Sequence, residues 1–158
     1  MTDALFAAHA RPLVITVLGR PAPQGSKHAT LHKQSGRIVT MESSKRVKPW
    51  REAVKEATTD AIEAAGHQRL EGPVTVEIAF CFDPPKSAPK RRKIWPTTRT
   101  SGDLDKLQRA AFDALTDAGA FRDDSQVVHV TADKWHTDDP DSPLSIPGAV
   151  IALKEVAP

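Results

Sequence analysis

The stretch that most constrains the fold is the run Val74–Phe82, in which apolar residues occupy every second position. Side chains two residues apart point to the same face of a β-strand, so the alternation predicts a strand with one buried face. That face carries Val74, Val76, Ile78, Phe80 and Phe82. A strand of this kind needs neighbouring strands and a covering layer of helices, and a chain of 158 residues suffices for one such domain.

Other segments predict the elements that complete this domain. Further strands are predicted at Leu13–Leu18 and at residues 36–41, 127–135 and 147–156. Apolar residues at helical spacing predict two helices, at residues 50–65 and 104–118, each followed by a glycine. The resulting order predicts an α/β (α+β) fold, with two helices on a mixed sheet of four to five strands. The domain is expected at residues 13–156, after a tail at residues 1–12.

The composition gives an indication of the cellular compartment. The single Cys81 cannot form an internal disulfide, which indicates a reducing compartment. No segment approaches the roughly 20 apolar residues that span a membrane, and the N-terminus does not resemble a signal peptide. We therefore expect a cytoplasmic protein without a membrane partner. The net charge is only +2, so any binding to a polyanion depends on where the basic residues lie.

Basic residues concentrate in the segment 83–102, which contains four prolines and is too polar for a core and too irregular for a helix. A long loop inside a compact domain is usually functional or disordered. Most charge runs are merely solvated, but this one precedes a group of carboxylates and is a candidate DNA surface. The candidate DNA-binding residues are Lys86, Lys90, Arg91, Arg92, Lys93 and Arg99 in the loop, Lys106 beyond it, and Lys27, Lys45, Arg46 and Lys48.

The three tryptophans are predicted to have different roles. Trp95 lies in the basic loop beside Pro96, where it either stacks on an unpaired base or anchors the loop by packing. Trp50 and Trp135 occupy a predicted helix and a predicted strand, and both are assigned to the core.

Aspartates form a second concentration of charge. Asp103 and Asp105 flank one residue where the loop meets the second helix, and Asp123 and Asp124 precede a predicted strand. Carboxylates about 5 Å apart repel by on the order of 3 kcal/mol per pair at an effective dielectric of about 20, and a divalent cation removes that cost. Oxygen ligands without Cys or His suit Mg²⁺, with Mn²⁺ as a substitute. The same residues also suit a helix N-cap and a turn, and both interpretations stay open.

Arg109 follows Asp105 by four residues, which places the two side chains next to each other on a helix. One interpretation is an ordinary ion pair within the helix. The other is that the guanidinium contacts a phosphate oxygen and stabilises negative charge during a reaction. A different pair, His28 and His32, has the spacing of a zinc motif but lacks the adjacent glutamate, so no zinc site is predicted.

The run Asp103-Leu-Asp105-Lys-Leu-Gln-Arg-Ala-Ala-Phe-Asp-Ala-Leu115, followed by Asp123-Asp-Ser-Gln-Val127, resembles the core signature of RusA-type Holliday junction resolvases. Residues 19–27 and 43–51 are similar to the N-terminal half of phage-borne members of that family. The resemblance spans residues 13–130, which is most of the predicted domain.

The resemblance implies a homodimer that binds four-way and other branched DNA and makes paired symmetric nicks with Mg²⁺. By position it implies metal ligands at Asp103, Asp105 and Asp124, and it places the family's essential lysine at Arg109. Arginine cannot lose its proton, so Arg109 suits a phosphate clamp, with Lys106 or Lys27 as alternatives for the lysine. The competing hypothesis is a non-catalytic branched-DNA-binding protein that retains the fold. A small-molecule phosphohydrolase is disfavoured because the basic loop is open.

Overall fold

The structure, a computed structural model, describes residues 11–25, 28–31, 38–41 and 45–157. The elements in chain order are β1 (Leu13–Leu18), β2 (His28–Leu31), β3 (Ile38–Met41), α1 (Val47–Ala65), β4 (Val74–Phe82), α2 (Leu104–Asp117), β5 (Val127–His136) and β6 (Gly148–Glu155). A single 3₁₀ turn, Asp124–Gln126, directly precedes β5. Nearly all of these bounds lie within a few residues of the predicted ones; a hairpin turn at residues 34–36, which lie outside the described residues, was considered, but no range was predicted for β2.

Four strands form one mixed sheet in the order β1-β6-β4-β5. The pairs β1–β6 and β6–β4 are antiparallel, whereas β4 and β5 are parallel. Parallel neighbours need a crossover connection of a dozen or more residues, and the chain supplies it with the basic loop and α2. The strands β2 and β3 pair separately as an antiparallel hairpin. The predicted mixed sheet with two helices is confirmed.

The two helices cover one face of the sheet, and the core lies between the helices and that face. All five residues predicted on the apolar face of β4 are buried. Buried residues of other elements meet them there: Ile15 of β1, Trp50 and Val54 of α1, Leu107 and Leu115 of α2, and Ile151 of β6. The core assignment of Trp50 is thereby confirmed. No helix in the described part of the chain combines the length and apolar character that a membrane crossing requires.

The path of α2 decides where the two aspartate motifs lie. Because α2 connects parallel strands, its first turn lies near the ends of β4 and β5 and its last turn near their beginnings. Two contacts mark these ends: Lys134, late in β5, donates to the carbonyl of Gly102, and Phe121 pairs with Leu70 before β4. The 14 residues of α2 span about 21 Å. The motif that begins α2 and the motif that follows it therefore lie at opposite ends of the helix.

Candidate functional site

The loop after β1 packs against the beginning of α2. The backbone N–H of Gln24 donates to the carbonyl of Lys106 at 3.0 Å, and the Gln24 Nε2 donates to the Asp113 carboxylate at 2.8 Å. The Arg20 guanidinium reaches the carbonyl of Thr100 at 3.3 Å. Gln24 is 8% exposed, so this is a buried polar contact and not a surface association. These bonds fix the first turns of α2 relative to β1.

Gly102 sets the direction in which the chain enters α2. Its φ of +86° lies in the region that favours glycine, and a Cβ on it would lie 2.5 Å from Cγ of Pro23. Both the backbone conformation and the contact with the loop after β1 therefore require glycine here. Asp103 follows immediately, so the geometry of Gly102 positions that carboxylate.

Asp103 and Asp105 occupy the first turn of α2 with their side chains exposed. Asp103 is the N-cap residue, as predicted, but its side chain forms no capping hydrogen bond and instead pairs with Lys106 at 3.2 Å. The positive end of the helix dipole favours negative charge at this position. Two carboxylates are thus held on a rigid element and face solvent beside the basic loop.

Lys134 lies next to this pair, and the sequence analysis did not single it out. Its Nζ donates to the carbonyl of Gly102 at 2.7 Å. Partial burial lowers the pKa of Lys134, and the nearby charge of Asp103 acts in the opposite direction. The only signal in the sequence is a basic residue in a strand, which gives no indication of a contact across 32 positions.

At the other end of α2, Asp123 and Asp124 have different roles. The carboxylate of Asp123 accepts from the backbone N–H of Ser125 at 2.8 Å, and the Gln126 side chain accepts in return from the backbone N–H of Asp123 at 3.0 Å. This reciprocal pattern is a capping box, so Asp123 is explained by the 3₁₀ turn. Asp124 has no such structural role and presents an exposed carboxyl at the beginning of that turn.

The environment shifts the pKa values of the two neighbouring carboxyls, Asp123 and Asp124, in opposite directions. Hydrogen bonding by Ser125 lowers the pKa of Asp123. Partial desolvation raises the pKa of Asp124, and the negative charges of Asp123 and then of Asp113 add to the effect. Such a carboxyl is costly to ionise without a counter-charge, which is a frequent property of ligand-binding acids.

The structure brings together some of the predicted site residues and separates others. Asp103 and Asp105 share the first turn of α2, but Asp124 lies beyond its last turn. The seven steps along β5 from Val127 to Lys134 correspond to roughly 23 Å, which indicates the separation of the two ends. Within the described residues, no group of three His, Cys, Asp or Glu is arranged to hold a metal ion. The described part of one chain therefore does not bring the three aspartates together. A metal ion shared by all three stays a prediction.

Arg109 is exposed on α2, one turn after Asp105. Within the part of the chain that the structure describes, its guanidinium forms no ion pair, so the intrahelical pair with Asp105 is not formed. The guanidinium is thereby left available to an anion, and its function as a phosphate ligand stays a prediction.

The basic loop is anchored to the end of β5 by aromatic contacts. The rings of Trp95 and Trp135 lie 5.1 Å apart, and the Lys93 ammonium lies 4.2 Å from the centre of the Trp95 ring. Lys93 also forms an ion pair with Asp139 at 3.0 Å. Trp135 is half-buried against this loop, so its assignment to the core was wrong. Trp135 lies on the edge strand β5, which has no neighbouring strand on one side, and the basic loop covers it instead.

Most of the other predicted DNA-binding residues are exposed, and they occupy two regions. The loop that leads into α2 carries Lys86, Lys90, Arg91, Arg92 and Arg99. Lys45, Arg46 and Lys48 lie just before or within the first turn of α1. An ion pair between Arg51 and Asp117, at 3.3 Å, places the first part of α1 near the last turn of α2. Basic side chains therefore lie in the loop that leads into α2 and in the part of α1 that is near the last turn of α2. Lys27 lies outside the described residues.

The sequence model of the family Endodeoxyribonuclease RusA matches residues 19–146, which is well over half of the chain. The chain belongs to the RusA family. The resemblance inferred from the aspartate motifs is thereby confirmed, and nuclease activity at branched DNA is the property of that family. The match includes the loop after β1, the basic loop and both ends of α2. A search of curated proteins finds no match.

The requirement for glycine before Asp103 gives a first prediction. We expect Gly102→Ala to destabilise the RusA protein by on the order of 2–4 kcal/mol, because it adds a clash with Pro23 to the backbone cost. The matched control is Gly119→Ala: Gly119 has a φ of +77° but open space around its Cβ position, so only about 1–2 kcal/mol is expected. Chemical denaturation compares the two, and equal losses would contradict the bracing role of Pro23.

The opposite pKa shifts give a second prediction. Because the pKa of Asp124 is raised above its ordinary 3.8, its ionisation opposes folding, and this cost appears as the pH rises from that value through the folded-state pKa. With chelator at pH 7, Asp124→Asn should melt at or above the wild-type temperature. Asp123→Ala should melt below it, because the capping box is lost. A lower melting temperature for Asp124→Asn would contradict the assignment of Asp124 as a residue without a structural role.

Proposed function

We propose that this protein is a Mg²⁺-dependent endodeoxyribonuclease that acts in the cytoplasm, that of the host cell if it is phage-encoded. It resolves four-way and other branched DNA by paired symmetric nicks, and Mn²⁺ can replace Mg²⁺. The observation that carries the proposal is the pair of exposed carboxylates, Asp103 and Asp105, on the first turn of α2 at the end of a basic loop. Membership of the RusA family supports the same reaction.

The donor atoms near the beginning of α2 fit a hard divalent cation. Both Asp103 and Asp105 offer carboxylate oxygens, and Mg²⁺ in nucleic-acid enzymes typically takes one or two carboxylates together with waters and phosphate oxygens. When bound, the ion supplies Lewis-acid polarisation of the phosphate and a lowered pKa for a bound water. No Cys or His is needed for this ligand set, and none is proposed.

Asp124 joins this pair through dimerisation. A two-fold interface is self-complementary, so if the beginning of α2 contacts the end of the partner's α2, the reverse contact follows by symmetry. In such a homodimer, Asp103 and Asp105 of one protomer converge with the partner subunit's Asp124. The raised pKa of Asp124 supports the presence of a counter-charge there in the functional assembly. Two identical sites also match the two equivalent strands of a four-way junction.

Other side chains of the chain bind and orient the DNA. The exposed lysines and arginines of the basic loop neutralise backbone phosphates of the junction arms. Arg109, one turn from Asp105, donates to a phosphate oxygen at the cleaved position and stabilises the charge that develops on it. Cleavage leaves 5′ phosphate and 3′ hydroxyl ends that a ligase can join.

A second candidate is a non-catalytic protein that binds branched DNA with the same fold. The resemblance places the family's essential lysine at Arg109, and the described part of a single chain does not gather the three aspartates. Both points favour this candidate. The two candidates differ in one property: only the nuclease converts a four-way junction into nicked duplexes when Mg²⁺ replaces chelator.

The variant Asp105→Asn tests the proposed site. Wild-type protein should cleave a four-way junction with Mg²⁺ and not with chelator, and the variant should lose on the order of 10²–10³-fold in cleavage rate. Its affinity for the junction should be unchanged or higher, because a negative charge leaves a DNA-binding surface. Single-turnover cleavage and a gel-shift titration measure the two quantities.

The matched control is Asp60→Asn, which removes an exposed carboxylate from α1 far along the chain from both motifs and should leave rate and affinity unchanged. A fully active Asp105→Asn variant would remove Asp105 from the site. A wild-type protein that binds the junction tightly but does not cleave it with either metal would favour the non-catalytic candidate.

A further inference from the structure

Lys134 lies on the core side of its strand, which is unusual for a lysine. In the sheet register it pairs with Phe80, which is fully buried on the core side of β4, and paired residues on adjacent strands share a face. The aliphatic stem of Lys134 therefore lies on the helix-covered side of the edge strand β5. From there the ammonium reaches the loop end at Gly102, immediately before Asp103.

The ammonium of Lys134 is anchored but not neutralised. Its hydrogen-bond partner is a neutral carbonyl, and it forms no ion pair with the described residues. Lys106, in contrast, pairs directly with the Asp103 carboxylate. Partial burial lowers the pKa of Lys134, and the charge of Asp103 acts in the opposite direction. A half-buried lysine that forms no ion pair with the described residues suits an anionic ligand.

The position of this anion follows from the neighbours. Asp103 adjoins the carbonyl that anchors Lys134, and the basic loop ends at the same point. An ammonium carries three hydrogens, of which the bond to Gly102 uses one. The other two hydrogens are left for an anion beside Asp103, and an anchored cation loses little conformational entropy when it binds.

We infer that Lys134 is a phosphate-binding residue of the cleavage site, anchored by the Gly102 carbonyl and directed at the DNA strand beside Asp103. This inference rests on the proposed function, and it adds to the site a residue from a different element of the fold. It also supplies an anchored lysine in a chain where the resemblance places Arg109 at the position of the family's lysine. The alternative is that Lys134 serves only to hold the loop end through its bond to Gly102.

Three substitutions of Lys134 separate these roles. Lys134→Met removes both the charge and the hydrogen bond, whereas Lys134→Gln keeps a donor for the Gly102 carbonyl and removes only the charge. Lys134→Arg keeps the charge. The matched control is Lys154→Met, which removes an exposed lysine from β6; Lys154 pairs with Thr75, so it lies on the other face of the sheet from Lys134.

The first measurement is junction binding in chelator as a function of salt. Each neutralised phosphate contributes about 0.9 to the slope of log affinity against log salt, so the slope should become shallower by about that amount in Lys134→Met and Lys134→Gln. It should stay at the wild-type value in Lys134→Arg and Lys154→Met. The second measurement is single-turnover cleavage with Mg²⁺, where Lys134→Gln should lose on the order of 10²-fold.

The outcomes distinguish this inference from the proposed function. If Lys134→Gln keeps the wild-type slope and cleavage rate, Lys134 is not a phosphate ligand, even when Lys134→Met fails to fold. If the wild-type protein itself does not bind or cleave the junction, the proposed function fails, and the inference fails with it. A shallower slope in Lys154→Met as well would also contradict the inference, because the effect would not be specific to the site.

Discussion

The parallel pairing of β4 and β5 through α2 is the constraint on which the arrangement of the site depends. Burial of the apolar faces of β4 and α2 fixes the helix across the sheet. The helix must then begin near the ends of these strands and finish near their beginnings. Asp103 and Asp105 are thereby separated from Asp124 by the length of a helix, so the described part of one chain does not gather the three carboxylates at one metal site.

Contacts from the loop after β1 and from the edge strand β5 hold the beginning of α2. Gln24 bonds to the backbone and to a side chain of α2, Pro23 packs on Gly102, and Lys134 donates to the Gly102 carbonyl. A metal-assisted reaction requires carboxylates that do not move when substrate arrives, because reorganisation would cost part of the rate enhancement. The loop after β1 and the edge strand β5 provide that rigidity at Asp103.

Much of the fold could be predicted from local periodicity, and much of the site could not. The alternation in β4 and the apolar stripe of α2 are properties of neighbouring residues, so both elements were predicted to within a residue. The contacts of Gln24 and Lys134 with α2 join residues far apart in sequence, and no local pattern reports them. Trp135 was misassigned because alternation does not show which element covers an edge strand. The aspartates were selected as candidate ligands by type and spacing, whereas their separation depends on the direction of the chain.

The most direct test of the shared site is to mix two inactive variants, Asp105→Asn and Asp124→Asn, under conditions that exchange protomers. In a mixed dimer, one site receives both substitutions and the other receives none, so about a quarter of all sites should be intact. The account predicts that the mixture regains Mg²⁺-dependent cleavage and nicks one strand of each junction. If the mixture stays as inactive as either variant alone, the three aspartates do not meet across a dimer interface, and the central claim is contradicted.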